Sequence, residues 1–143
     1  MKKFIHFPLL LVCILSACSG GEQKETSEND LDAARNFIRS ALDGRWDDAR
    51  KYMIQDSVNT QILDRYEDRY QHTMNKEDKR GYREASIINY DPRKVNDSVI
   101  IFNYANSYMK KKDSLKVVRM HNEWLVDLKY SWFPKADSAK NVQ

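Results

Sequence analysis

Apolar side chains recur at helical spacing along residues 31–42. Leu31, Ala34, Ile38, Ala41 and Leu42 fall on one face, with Phe37 beside it. Asn29 or Asp30 can cap the start of this helix, and Gly44 closes it as a left-handed cap. A second, shorter helix is predicted with Trp46, Ala49 and Met53 on one side, and with Asp47 and Asp48 suited to its N-terminal dipole. Asp56 or Ser57 opens a third, striped by Ile62, Leu63, Tyr66 and Tyr70, while Arg65, Asp68 and Arg69 face out. The polar residues 75–81 end the helical half.

After Gly81 the period changes from helical to strand-like. Strands are predicted over 86–90, 98–108, 114–120 and 123–132, separated by polar breaks of hairpin length at 96–97, 110–113 and 121–122. In the last strand Trp124, Val126, Leu128, Tyr130 and Trp132 alternate with Leu125, Asp127, Lys129 and Ser131, the pattern of one buried face. Three helices followed by an antiparallel meander predict an α+β domain over residues 30–133, its N-terminal helices packed on one face of a sheet of about four strands. A polar tail, 134–143, follows.

The chain ahead of this domain has a different character. Lys2 and Lys3 lead into an apolar run, residues 7–15, that ends in Leu15-Ser16-Ala17-Cys18. A charged start, a short hydrophobic stretch and small residues before a cleavage point make a secretory signal. The run is too short to cross a bilayer, which needs about 20 apolar residues. With a cysteine directly after Ser16-Ala17, the segment closely resembles the lipobox of bacterial lipoproteins. That resemblance implies removal of residues 1–17, acylation of the Cys18 thiol, and residence in the bacterial cell envelope on the periplasmic or surface face of the outer membrane. One acyl chain holds only marginally, at about 0.8 kcal/mol per buried methylene, so a stable anchor needs several. Residues 19–29 hold no apolar side chain and read as a flexible tether from the lipidated Cys18 at 18–29.

Charge and cysteine usage sharpen this picture. Lys2 and Lys3 leave with the leader and no acid leaves with them, so the net charge falls from +3 to +1. A near-neutral mature chain gives no electrostatic case for nucleic acid. Cys13 is discarded and Cys18 is consumed by lipid, which leaves no thiol for a disulfide, a thiolate metal site or a nucleophile. The domain must therefore be held by its core.

Helix, then Asp43-Gly44-Arg45-Trp46-Asp47-Asp48-Ala49, then strands ending in Glu123-Trp124-Leu125-Val126-Asp127-Leu128, resembles the small cystatin-like lipoproteins of the nuclear transport factor 2-like superfamily. The resemblance covers about residues 31–130. His121-Asn122 stands where the last hairpin of that family often has a glycine. The resemblance implies a curled sheet closed by helices around a conical pocket. Some relatives, the ketosteroid-isomerase-like enzymes, use such a pocket for an Asp general base and a Tyr or acid donor.

Against that chemistry, Asp127 is the only acid inside a strongly apolar strand, and alternation turns it away from Trp124, Val126 and Leu128 to a solvated outer face. His72 lies where the third helix frays and His121 in a hairpin break, and neither has a partner at metal-ligand spacing. Both read as surface or turn histidines. No strand-turn-helix nucleophile elbow supports a Ser-His-Asp set. Lys110-Lys111-Lys112-Asp113 reads as a solvated turn that discourages edge pairing, with contact to anionic headgroups as the alternative. Most tyrosines and tryptophans are needed as core; Tyr66, Tyr104 and Trp124 are the candidates for lining a pocket. The expectation is a lipid-anchored, non-enzymatic protein without cofactor or metal, binding a small molecule or an envelope protein. The alternatives are a pocket enzyme of the ketosteroid-isomerase-like type and a structural or inhibitory interaction module.

Overall fold

The computed structural model describes residues 29–132. The leader 1–17, Cys18, all but the last residue of the tether and the tail 134–143 lie outside the described residues.

Four α-helices precede a five-stranded antiparallel sheet: α1 (Asp30–Asp43), α2 (Trp46–Lys51), α3 (Ser57–Asp68), α4 (Lys76–Glu84), β1 (Ile87–Asn89), β2 (Arg93–Asn96), β3 (Val99–Asn106), β4 (Lys112–Met120) and β5 (Glu123–Asp127). A short α5 (Lys129–Trp132) follows, and a π-helical turn, Arg69–Thr73, extends α3. The α+β class and the curled antiparallel sheet are as expected, with one strand more.

The helix ends follow the sequence closely. Asn29 caps α1 by accepting the Asp32 N–H at 2.8 Å. Gly44 ends it at φ 74°, where the Gly44 N–H reaches Ala41 O at 3.1 Å and the Arg45 N–H reaches Ser40 O at 2.9 Å. Asp56 caps α3 in the same manner as Asn29 caps α1. Ala33 and Ala34 are fully buried, and their small side chains let α1 lie close against the sheet. Phe37, Ile38 and Leu42 continue its buried stripe, and Trp46, Met53 and Leu63 complete the helical side of the core. The sheet meets them with Phe102, Leu115, Val117, Val126 and Leu128.

In the sheet, β3 pairs with β4 and β4 with β5, while β1 and β2 share the other side of β3. β1 covers its far half (Ile87↔Asn106) and β2 its near half (Arg93↔Ile101), with a bulge between Lys94 and Asn96. The two make one edge strand broken around Pro92, which cannot donate to a ladder. At the opposite edge, Met53 bridges Val126 in parallel, through Ile54 N–H to Val126 O at 2.9 Å and Val126 N–H to Tyr52 O at 2.8 Å. That bridge ties the helical half to the sheet.

Four expectations are corrected. Residues 75–81 do not end the helical half. Asn75 accepts the Asp78 N–H at 2.8 Å and starts α4. The Arg39 guanidinium closes α4 by donating to Ala85 O at 2.7 Å and Arg83 O at 3.0 Å. β2 was absent from the expected strands because all four of its residues are exposed, so no apolar alternation marks it. The 123–132 strand stops at Asp127: the Leu128 N–H turns away to Asn59 Oδ1 at 2.7 Å and the chain coils into α5. The β3–β4 break falls earlier than 110–113. Asn106 Oδ1 accepts the Met109 N–H at 2.7 Å, so Lys112 and Asp113 belong to β4.

Candidate functional site

The earlier turn decides what faces what. With β3 and β4 in this register, Tyr104 stands directly opposite Asp113 on the face turned toward the helices. Tyr104 packs on the core beside Phe102, ring centroids 6.2 Å apart and nearly parallel. Its hydroxyl lies 3.4 Å from Asp113 Oδ2. That is long for an O–H···O bond, whose usual range ends near about 3.0 Å. Asp113 Oδ1 accepts the Ser114 N–H at 2.7 Å. The Asp113 residue is exposed, so one carboxylate oxygen is left with a weak partner at the rim of the sheet.

Tyr66 comes to the same rim from α3. Burial, and then the Asp113 carboxylate, push its phenol above the usual range, while Arg69 pulls the other way. Burial also dominates at Tyr104, with Asp113, Tyr66 and Tyr82 adding to it, so that phenol is pushed far up. Both hydroxyls therefore keep their protons at neutral pH and act as hydrogen-bond donors beside an acceptor. The helix carrying Tyr66 passes into the π turn one residue before Tyr70, where the Met74 N–H reaches back to Arg69 O at 3.0 Å. Such wide turns are frequent at functional sites. Tyr70 meets Trp46 edge-on at 5.5 Å and covers Gly44, where a Cβ would stand 2.8 Å from its ring.

Of the three pocket candidates, two are brought together. Trp124 packs on the core from the same face, but it pairs with Arg119, at the other end of the sheet from Tyr104. Asp113 and Arg119 lie six residues apart along β4, so about 20 Å of strand separates the two levels. Asp113, Tyr82 and Arg69 were missed as members of the rim. The signal for Asp113 was register: a hairpin turning at 107–110 sets it opposite Tyr104, whereas one turning at 110–113 makes it a loop residue.

Asp127 does lie on the outer face, as alternation requires, but it is not solvated. It is 7% exposed, held by Lys116 Nζ at 3.3 Å and Lys129 Nζ at 3.6 Å. Lys129 also reaches Asp56 Oδ2 at 2.6 Å. This chain of alternating charges joins β4 and β5 to the cap of α3. The capping bonds from Asn59 and then Lys129 hold the Asp56 carboxyl down at about 2. His72 is exposed and bonded to Asp68 Oδ1 at 2.9 Å. His121 and Asn122 form the β4–β5 turn at φ 49° and 66°, the left-handed pair that a two-residue hairpin requires. Among the described residues no group of three His, Cys, Asp or Glu side chains could hold a metal ion, and no helix is long and apolar enough to cross a membrane. Comparison with protein-family models, with curated proteins and with solved structures finds no match.

Proposed function

We propose that this is a lipid-anchored protein of the bacterial envelope whose domain binds a small amphipathic molecule at the rim formed by Tyr66, Tyr104 and Asp113. The anchor rests on Leu15-Ser16-Ala17-Cys18, and residence at the outer membrane follows from that reading. The order of helices and curled sheet supports a place beside the cystatin-like, nuclear transport factor 2-like domains. One observation carries the binding: the Tyr104 phenol faces the Asp113 Oδ2 oxygen at 3.4 Å, long for a hydrogen bond, and the Tyr66 phenol is near enough to feel the same charge. A ligand donor, a hydroxyl or an ammonium, can shorten that distance while its apolar body covers the aromatic rings.

The test is native mass spectrometry of the processed protein, purified from its membrane, for a co-purifying small molecule. Hydrogen bonds to charged groups are worth about 1.5–3 kcal/mol. Asp113→Asn should therefore weaken retention by about ten- to a hundredfold while leaving the fold unchanged. A wild-type protein that carries nothing, or retention indifferent to Asp113→Asn, refutes the binding. In parallel, Cys18→Ala should abolish fatty-acid labelling and membrane sedimentation; unchanged labelling refutes the anchor.

The meeting of Tyr104 with Asp113 also favours a second reading, an isomerase-type pocket enzyme. It is the weaker one, because Asp113 is exposed and its Oδ1 is engaged by its own strand. A general base works best where water is excluded.

A further inference from the structure

We infer that the tip of the β3–β4 hairpin is a second membrane contact, which sets Met109 among the headgroups of an anionic bilayer and holds it there with Lys110 and Lys111. The tip is built rather than loose. Asn106 accepts the Met109 N–H on its side chain at 2.7 Å and the Lys110 N–H on its carbonyl at 2.9 Å, and Lys110 takes a left-handed φ of 54°. Below it, Ser107 and Ser86 are joined twice: the Ser107 N–H donates to Ser86 O, and the Ser86 N–H donates to Ser107 Oγ, each at 2.9 Å.

One flank of the tip leans on α4. The Tyr108 ring lies so close over Gly81 that a Cβ there would overlap it, and its hydroxyl donates to Asp78 Oδ1 at 2.6 Å. Met109 has no such support and is 51% exposed. Lys110 and Lys111 are exposed beside it and make no ion pair among the described residues. Lys112 sits over the Tyr90 ring at 4.7 Å on the outer face. Of the acids near the tip, Asp78 accepts the Tyr108 hydroxyl and Asp113 Oδ1 accepts the Ser114 N–H, while Asp113 Oδ2 and Glu77 also lie close enough to act on the tyrosines there. The result is an apolar side chain presented on a hydrogen-bonded turn, followed by two ammonium groups that make no ion pair among the described residues. Anionic headgroups complement that charge, and each basic residue near them is worth about fivefold in partitioning.

The reach of the tether decides whether the same bilayer can serve both contacts, and this step rests on the lipid-anchor reading. Arg39 of α1 meets Ala85 near the tip end, and Arg35, one turn earlier, lies against the Asn89 side-chain amide further from it. α1 therefore runs toward the tip, and Asn29 stands at the far end. The eight residues of β3 span about 26 Å. Residues 19–29, fully extended, span at most about 36–40 Å. The tether is long enough to lie alongside the domain and let the tip touch the membrane that holds Cys18.

The experiment uses the processed, full-length mature protein with Met109→Cys carrying an environment-sensitive fluorophore. It is reconstituted in vesicles of phosphatidylcholine alone or of phosphatidylcholine with phosphatidylglycerol. Blue-shifted emission and quenching by brominated lipid are expected only in the second kind. Added salt should reverse them, and Lys110→Gln with Lys111→Gln should weaken them by about twenty-five-fold. Emission that is the same in both vesicle types, or that ignores the two lysines, overturns the proposal. Sedimentation with phosphatidylcholine vesicles reports the anchor separately. A chain that fails to sediment there but still shows the shift with phosphatidylglycerol breaks the anchor reading and upholds the tip.

Discussion

Asn59 is the polar pin of this fold, and Asn59→Ala measures how much one buried amide holds. The residue is fully buried on α3. Its Oδ1 accepts the Leu128 N–H at 2.7 Å and its Nδ2 donates to Asp56 Oδ2 at 3.0 Å. Truncation leaves the Leu128 N–H, on a residue 1% exposed, with no acceptor. A buried donor left unsatisfied costs about 1–3 kcal/mol. Loss of the bond to Asp56 adds little, because that carboxylate is 38% exposed and water can replace the amide. The vacated volume adds a methylene-scale packing loss of about 1 kcal/mol. The expected total is about 2–4 kcal/mol, a large share of the 5–15 kcal/mol typical of a domain. Urea unfolding followed by tryptophan fluorescence should show the midpoint falling with an unchanged slope. The substitution should also free the Lys129–Trp132 helix, seen as faster amide exchange at Leu128. A midpoint shift worth less than about 0.5 kcal/mol would refute the assignment of Asn59 as the group that ends β5.

Two further outcomes follow from the same structure. Asp56 is held at about 2 against its ordinary 3.8. Because its folded value is depressed, its stabilisation is present above about pH 4 and is lost as pH falls toward about 2. The ion pair is more than a third exposed, so screening keeps its contribution below about 1 kcal/mol; Asp56→Asn should flatten this part of the acid-unfolding profile, and an unaltered profile would count against it. Gly44→Ala should cost about 2–3 kcal/mol in urea midpoint, combining a left-handed φ of 74° with a Cβ placed 2.8 Å from the Tyr70 ring. Adding Tyr70→Ala should remove the overlap and leave only the backbone part, so a double variant showing simple additivity would argue against the contact.

Burial is the reason some of this was legible in the chain and some was not. The stripes on α1 and α3 and the alternation in β3 to β5 mark faces that meet one core, and those elements exist where expected, although β4 starts earlier and β5 ends earlier than the pattern indicates. α4 and β2 bury almost nothing: α4 has no buried residue and β2 is exposed throughout. Apolar periodicity cannot report an element held by caps, by Arg39 across the chain, or by pairing alone. The candidate site divides in the same way. That Tyr66 and Tyr104 belong to inner faces was readable from spacing, but their meeting with Asp113 was not.

The amino-acid order by itself determined the left-handed helix end at Gly44, helix starts at 29–30 and 56–57, and the α+β class, and the expectation of a lipidated Cys18 rests on it alone. Each depends on neighbours within a few residues or on composition, so no distant contact is needed to read it. Only the tertiary structure decided the hairpin register, the burial of Asp127 between two lysines, the separation of Trp124 from Tyr104 and the exposure of Met109. A shift of a few residues in one turn re-pairs every side chain beyond it, and the groups that set this turn, Asn106 locally and Ser86 across the sheet, act through hydrogen bonds that leave no trace in hydrophobic pattern.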